Sequence, residues 1–216
     1  MPNEQDILNS INSSSSQTMQ PRGESEGDHD NYSKKREVLA FIWETVKIIT
    51  ISLAIIIPIR YYLVQPFFVK GASMEQNFHD GDYLLIDEIS YRFNEPSRGD
   101  VIVFRYPENP SQFYIKRIIG LPGETVEVKN NKVKIYNTEF ERGFMPKEYY
   151  LSDGQETFGN NMTQLKDNEY FVMGDNRLQS SDSRRWGPVP KSNITGKAFL
   201  RLWPVTKIVK VAAVEY

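Results

Sequence analysis

The sequence lacks cysteine and is poor in histidine. The absence of cysteine excludes disulfide bonds, thiolate zinc sites and a cysteine nucleophile. The two histidines, His29 and His79, occur without an H-E-x-x-H motif, which excludes a histidine-rich zinc site. Any catalysis must therefore use serine, lysine, aspartate, glutamate or tyrosine, and His79 is the only plausible histidine.

The chain also lacks an excess of charge of one sign. Its 26 lysines and arginines stand against 28 acidic residues, a net charge of −2 over 216 residues. Proteins that bind nucleic acids carry basic surfaces, so this balance predicts no nucleic acid partner. The length suggests one or two small domains.

The composition changes sharply near the N-terminus. Residues 1–36 have few large apolar side chains, which predicts a disordered tail. Residues 37–64 are predicted to form a membrane anchor helix, because Phe41–Ile59 alone would extend about 28 Å and cross a bilayer. Glu44 and Lys47 lie three residues apart on one face of this helix, so they can pair.

Two other interpretations of the apolar segment stay open. A soluble core helix would need partners around its whole circumference. A cleaved signal peptide would fit the small residues Gly71-Ala72-Ser73 but not the long acidic region before the segment. We favour a single-pass anchor in the cell membrane, and Lys34-Lys35-Arg36 before it predict a cytoplasmic N-terminus with the rest of the chain outside.

Residues 65–216 contain short β-type runs separated by turn residues, which predicts an all-β fold, an antiparallel β-sheet domain after one transmembrane helix. Asn130-Asn131 is predicted as a two-residue hairpin turn, because asparagine tolerates positive φ. Residues from about 137 to 168 are polar and weakly periodic, which indicates an inserted loop or flap. The predicted strands are Tyr83–Asp87, Val101–Arg105, Phe113–Gly120, Thr125–Lys129, Lys132–Tyr136, Glu169–Gly174, Lys197–Trp203 and Lys207–Val214.

Ser73 and Lys116 are the first candidates for chemistry. Ser73 follows two small residues, but surface serines are common. Strand alternation places Lys116 on one face with Tyr114 and Ile118, where burial would lower the pKa of its ammonium group and allow it to act as a base. A lysine that protects an exposed sheet edge from aggregation would give the same pattern.

A third polar segment follows a hydrophobic strand. It begins with Gly174-Asp175-Asn176-Arg177 and continues with Ser180, Asp182, Ser183 and Arg184. The segment fits a turn with Asx hydrogen bonds and a surface ion pair. It equally fits a wall of hydroxyl and carboxylate groups that orients a catalytic residue.

These segments together resemble the type I signal peptidases, which are membrane-anchored serine–lysine proteases. The resemblance extends from about Leu39 to Pro204, and its five blocks occur in the family's order. Each block is modest alone, whereas the ordered set is specific. The blocks are the anchor, Gly71-Ala72-Ser73-Met74, Arg98-Gly99-Asp100-Val101-Ile102-Val103-Phe104, Tyr114-Ile115-Lys116-Arg117-Ile118-Ile119-Gly120-Leu121-Pro122-Gly123, and Gly174-Asp175-Asn176-Arg177 with Ser180-Ser181-Asp182-Ser183-Arg184.

The resemblance implies a serine endopeptidase that removes N-terminal signal peptides from exported preproteins at the outer face of the cytoplasmic membrane. It implies that Ser73 is the nucleophile and Lys116 the general base, that Ser180 hydrogen-bonds the lysine, and that Asp182 and Arg184 support this wall. Signal-peptide-bearing preproteins and the lipid bilayer are the expected partners. No cofactor or metal is expected, and the oligomeric state stays open.

Three positions depart from the family pattern. The usual Ser-Met-x-Pro-Thr is here Ser73-Met74-Glu75-Gln76-Asn77, which puts the predicted turn after the nucleophile in question. Gly71 stands where some members have a serine that helps to bind the oxyanion, so that role must fall to backbone N–H groups, including that of Ser73. Leu178-Gln179 replaces a polar pair.

Three other functions fit parts of the sequence. Self-cleavage of the SOS-repressor type uses the same serine–lysine pair, but the anchor and the lack of a DNA-binding segment argue against it. An inactive anchored β-domain that binds a partner would not need Ser73 and Lys116. A Ser73–His79 pair would lack a carboxylate to orient the histidine.

Overall fold

The computed structural model of the chain describes residues 26–58, 64–204 and 208–211. Most of the predicted tail, residues 1–25, lies outside the described residues. The chain divides into two compact units, residues 1–53 and 54–216, and each is described by itself.

The first helix, α1, spans Glu26–Pro58 and begins inside the segment predicted as tail. Lysine, arginine and glutamate are good helix formers, so Lys34–Glu37 can continue the helix of the apolar segment. The part Lys34–Pro58 is long and apolar enough to cross a membrane, and its side chains are all exposed. Lys47 Nζ donates to Glu44 Oε1 at 2.9 Å, which confirms the predicted pair.

The described part of the second unit is built from antiparallel strands, which confirms the predicted fold class. It also contains the short helices α2 (Ser90–Phe93) and α3 (Ser183–Trp186) and a 3₁₀ helix at Lys191–Asn193. In chain order the strands are β1 (Val64–Phe68), β2 (Tyr83–Asp87), β3 (Val101–Tyr106), β4 (Asn109–Gly120), β5 (Thr125–Lys129), β6 (Lys132–Tyr136), β7 (Asn161–Gln164), β8 (Glu169–Met173), β9 (Val189–Pro190), β10 (Ile194–Trp203) and β11 (Val209–Lys210).

The described strands form two sheets. The larger has the order β1-β2-β10-β3-β4-β8-β9, and β11 pairs with β10; the smaller has the order β6-β5-β7. Asn130 and Asn131 have φ values of 51° and 63°, so the predicted hairpin turn between β5 and β6 is confirmed. The strands β1, β7 and β9 were not expected from the sequence. Each lies at a sheet edge, and β7 and β9 are only 4 and 2 residues long.

The centre of the large sheet is buried on both faces. Along β3, Val101 and Val103 belong to one apolar cluster, while Ile102 and Phe104 belong to another. A strand that packs on both faces needs a continuous apolar run, which explains the sequence of β3. The neighbouring strand β4 places Lys116 opposite Ile102, in the interior of the domain.

The predicted flap is partly ordered secondary structure. Its strand β7 pairs with β5 in the small sheet, and Phe144 forms an isolated bridge with Ile135. A third apolar cluster, which includes Val126 and Phe171, joins the small sheet to the large one. The segment 137–168 is therefore anchored to the rest of the domain along much of its length.

Candidate active site

Ser73 lies in a compact turn that connects β1 to β2. The turn is closed at its base by the Val69 N–H, which donates to Asp82 O at 2.9 Å, and further along by the Phe78 N–H, which donates to Met74 O at 2.9 Å. Met74 and Phe78 are buried in the core. Burial of these two side chains fixes the turn on the sheet and leaves Ser73 half-buried.

Lys116 on β4 reaches this turn from the sheet. Lys116 is only 4% exposed, so it is not a lysine that protects an exposed sheet edge from aggregation. Its Nζ donates to Ser73 Oγ at 2.8 Å and to Ile115 O at 2.8 Å. The structure thus brings together the two residues that the sequence analysis singled out, although they lie 43 positions apart in the chain.

Burial lowers the pKa of the Lys116 amine to about 8, because an ammonium ion loses hydration in the interior. The charges of Asp182 and Asp175 act in the opposite direction and favour the ammonium form. Burial prevails, so about one Lys116 amine in ten is neutral at pH 7. The amine can then accept a proton from the hydroxyl that it contacts.

Asp175 ties the strand of Lys116 to the turn of Ser73. Arg117 donates to its carboxylate from Nε at 2.8 Å and from Nη2 at 2.6 Å, and both side chains are buried. Asn77 Nδ2 donates to the same carboxylate at 2.8 Å. Two oxygens of one aspartate therefore bind the residue next to Lys116 and a residue of the Ser73 turn.

The backbone of the Gly174 segment packs directly against Ser73. The Asn176 N–H donates to Ser73 O at 3.0 Å. A Cβ on Gly174 would lie 2.3 Å from Ser73 O and 2.3 Å from Ser180 Oγ, closer than non-bonded atoms approach. Position 174 thus requires glycine because the chain has no room for a side chain beside the nucleophile.

Asp182 and Arg184 stabilise this segment from behind. Asp182 Oδ2 accepts from the Gly174 N–H at 3.1 Å, and Arg184 Nε donates to Asp182 Oδ1 at 2.8 Å. Burial by itself would raise the pKa of the Asp182 carboxyl, but the hydrogen bonds and charge of Arg184 lower it below its usual range. Asp182 is therefore ionised at neutral pH and can hold both partners.

Ser180 lies at this wall, but the hydrogen bond to Lys116 that the resemblance implies is not formed. Its Oγ is buried and makes no hydrogen bond of standard geometry within the described residues. The hydroxyl is close enough to Asp182 to help lower the pKa of that carboxyl. The role of Ser180 stays a prediction.

A groove of about 410 Å³ leads to Ser73 and Lys116. One side consists of residues 67–73 at the end of β1 and in the turn, and the other includes Phe113, Tyr114 and Ile115 of β4. Because β1 is an edge strand of the sheet, an extended peptide can approach its free side. The position of the groove gives a peptide access to the serine hydroxyl.

His79 does not take part in this arrangement. Its side chain is 48% exposed, and Nδ1 lies 4.0 Å from Asp82 Oδ2. The hydrogen bond to the Ser73 hydroxyl comes from Lys116 instead. The geometry therefore favours the serine–lysine pair over a serine–histidine pair.

Comparison with known proteins agrees with this geometry. Residues 42–203 match the family described as signal peptidase, peptidase S26. The chain belongs to this family. It is 36% identical to signal peptidase I of Leptolyngbya laminosa over 77% of this chain and 82% of that protein. It is 34% identical to signal peptidase I of Bacillus licheniformis over 78% and 92% of the two chains.

A similar solved structure comes from the same family. The crystal structure of a signal peptidase I from Enterococcus faecalis V583 is 32% identical, with a TM-score of 0.40. The superposition covers 48% of this chain and 97% of the Enterococcus chain.

The sequence did not identify the residues that attach the flap to the Gly174 segment. Arg177 is fully buried and donates to Glu148, to Thr157 Oγ1 at 2.5 Å and to Tyr150 Oη at 3.1 Å. These partners lie in the weakly periodic segment, where no local pattern marks them. A buried arginine needs such acceptors, so Arg177 was the only signal that an acidic partner lies nearby.

The depressed pKa of Lys116 predicts how stability depends on pH. The amine has a pKa of about 8 in the folded protein and 10.5 ordinarily, so unfolding takes up a proton between these values. Stability therefore rises with pH across this window, and below about pH 8 the buried charge destabilises the fold. We expect Lys116→Met to raise the free energy of unfolding at pH 7 by about 1–3 kcal/mol.

Urea unfolding of the full chain in detergent, followed by tryptophan fluorescence, measures this effect. The gain should shrink toward zero only above about pH 11, where the lysine of the unfolded chain, with its ordinary pKa of 10.5, has also lost its proton. Lys129→Met provides the control, because Lys129 is exposed and should give no such gain. A Lys116→Met variant less stable than wild type at pH 7 would contradict the account.

Proposed function

We propose that this peptidase S26 member removes signal peptides from preproteins, with Ser73 as the nucleophile and Lys116 as the general base. The observation that supports this most directly is the 2.8 Å contact between Lys116 Nζ and Ser73 Oγ, made by a buried lysine with a lowered pKa. A serine hydroxyl is a weak nucleophile until an adjacent base accepts its proton.

The reaction begins when a preprotein lies in the groove with its scissile carbonyl carbon beside Ser73 Oγ. Neutral Lys116 takes the hydroxyl proton as Oγ attacks, and the tetrahedral intermediate collapses as the ammonium returns the proton to the leaving amine. Water, deprotonated by the same lysine, then attacks the acyl carbon, and the ammonium returns this proton to Ser73 Oγ as the ester bond breaks. The cycle ends with free Ser73 and neutral Lys116.

Backbone donors are the candidates for stabilising the oxyanion. Gly71 has no hydroxyl, and the Ser73 N–H donates no hydrogen bond to the described residues. This N–H can therefore point its hydrogen toward a substrate oxygen. Removing one such donor typically costs on the order of 10²–10³ in rate, so the position of the turn matters as much as the hydroxyl.

Asp182, Arg184 and Ser180 act as supports in this mechanism. Asp182 holds the Gly174 backbone, which in turn limits the space beside Ser73. Arg184 keeps Asp182 ionised. Ser180 is proposed to orient the Lys116 amine during proton transfer; its buried hydroxyl makes no hydrogen bond of standard geometry within the described residues.

The helix α1 anchors the enzyme in the membrane in this proposal, with residues 1–36 on the cytoplasmic side. Basic residues flank the cytoplasmic end of membrane helices, and Lys34-Lys35-Arg36 occupy the N-terminal side of the apolar segment. The peptidase domain then lies at the outer face, where exported preproteins emerge.

Substitution of the two central residues tests the mechanism. Ser73→Ala should abolish cleavage of a preprotein, and Lys116→Arg should do the same because arginine does not lose its proton in proteins. Both variants should keep a cooperative unfolding transition. Ser111→Ala and Lys129→Arg, at exposed positions, are the controls and should cleave normally. Cleavage by either central variant at a rate near that of wild type would remove that residue from the mechanism.

The pH dependence of wild-type cleavage tests the base separately. Lys116 must be neutral to accept the proton, so kcat/KM should rise with pH through an inflection near the pKa of about 8. The measurement is kcat/KM for a signal-peptide substrate between pH 5 and 10 in detergent. A profile that is flat from pH 6 to 9 would exclude a base with this pKa.

Membrane orientation is tested with epitope tags at the two ends of the chain. Protease added to intact spheroplasts should remove a C-terminal tag and leave an N-terminal tag, because only the peptidase domain faces outward. Permeabilised cells are the control, since both tags should then be lost. Protection of the C-terminal tag in intact spheroplasts would reverse the proposed topology.

A further inference from the structure

The turn after Ser73 has a backbone that proline cannot adopt. Gln76 has a φ of 93°, in the region that residues with side chains rarely occupy. Proline is fixed near −65°, so the Pro that usually follows Ser-Met-x in this family cannot fit here. The departure at position 76 therefore reflects a different turn, and the strained residue must be held in place by its surroundings.

The side chain of Gln76 binds the flap. Its Oε1 accepts from the Ser152 N–H at 3.0 Å, and its Nε2 donates to Gln155 Oε1 at 3.1 Å. Gln155 in turn donates from Nε2 to the backbone oxygen of Asp175 at 3.0 Å. We call this chain of hydrogen bonds, formed by Gln76, Ser152, Gln155 and Asp175, the glutamine clasp.

Asn77, the second residue that departs from the family pattern, makes a parallel connection. Its Nδ2 donates to Tyr150 O at 3.0 Å and to Asp175 Oδ2 at 2.8 Å. Both departures thus bind the flap, and they reach Asp175, Asn77 directly and Gln76 through Gln155. The residue after Asp175 is Asn176, whose N–H donates to the backbone oxygen of Ser73. The flap is therefore linked to the nucleophile through a few short contacts.

We propose that the glutamine clasp is a positioning device, in which Gln76 and Gln155 use the flap to hold the Ser73 turn in register with Lys116. The inference rests on the proposed function, since it concerns the geometry of the same serine–lysine pair. Gln76 does not line the groove, so it acts on the orientation of Ser73 and not on substrate contact. Loss of the clasp should lower kcat and leave KM unchanged.

Restoring the family residue is the sharpest test. Gln76→Pro should lower both kcat and thermal stability, because the ring imposes a φ of the opposite sign and breaks two hydrogen bonds. Gln76→Gly should separate the two properties, since glycine accepts positive φ without strain. For this variant we expect kcat to fall roughly tenfold, because small displacements of reacting groups are costly, while the unfolding temperature stays at or above that of wild type.

The partner residue completes the test. Gln155→Ala should lower kcat by a similar factor at unchanged KM, and the Gln76→Gly/Gln155→Ala double variant should lose no more than either single variant, because both break one chain of contacts. Gln164→Ala, an exposed glutamine on β7, is the matched control and should retain wild-type kcat. If the fold loss of kcat in the double variant equalled the product of the two single losses, the clasp would be overturned.

The measurements are kcat and KM for a signal-peptide substrate, with unfolding temperatures, on the full chain in detergent. Wild-type kcat and stability in Gln76→Pro would overturn the inference. Losses of kcat that follow the unfolding temperature across all variants would also overturn it, since they would show a structural role alone. Ser73→Ala is assayed in parallel: if it is inactive while Gln76→Pro is fully active, the clasp fails and the proposed function stands. If Ser73→Ala cleaves, the proposed function itself fails.

Discussion

Arg117 and Asp175 form a buried bidentate ion pair, and the segments that bear Ser73 and Lys116 meet through it. The pair has a further partner on each side, because Arg117 Nη1 donates to Gly99 O at 2.8 Å and Asn77 donates to Asp175. Removing one member of a buried pair leaves an uncompensated charge that typically costs about 3–5 kcal/mol. The ion pair thus holds the Ser73 hydroxyl and the Lys116 amine near each other. The glutamine clasp and the flap further position the Ser73 turn.

The proposed chemistry depends on a residue that weakens the fold. Lys116 is 4% exposed, and within the described residues its hydrogen-bond partners are Ser73 Oγ and Ile115 O, neither of them a carboxylate. An ion pair with a carboxylate would stabilise the ammonium and raise its pKa, so that the amine could not act as a base. Asp175 and Asp182 lie near enough to influence the charge, but they are engaged by Arg117 and Arg184. The arginines thereby keep the two carboxylates from pairing with the lysine.

The sequence was most informative where one strand or one turn contains the signal. The strand alternation placed Lys116 on a face with two apolar neighbours, where burial was one of two interpretations. Two adjacent asparagines marked the turn between β5 and β6, as observed. The ordered blocks, rather than any local pattern, linked Ser73 to Lys116. The clasp could not be predicted, because Gln76 and Gln155 lie 79 positions apart in segments without periodicity. The residues around a glutamine in the sequence do not indicate its hydrogen-bond partner. Gln76 and Asn77, which stand where the family usually has proline and threonine, were the visible signs that this turn is held differently.

Direct titration of the Lys116 amine tests the central claim, that burial beside Ser73 produces a neutral base. Selective isotope labelling of lysine, with Lys116→Arg to assign the signal, allows its pKa to be followed by NMR in the detergent-solubilised chain. The account predicts a pKa of about 8, clearly separated from the exposed lysines, and an inflection in kcat/KM at the same pH. A titration of Lys116 together with the exposed lysines, near the ordinary value of 10.5, would contradict it.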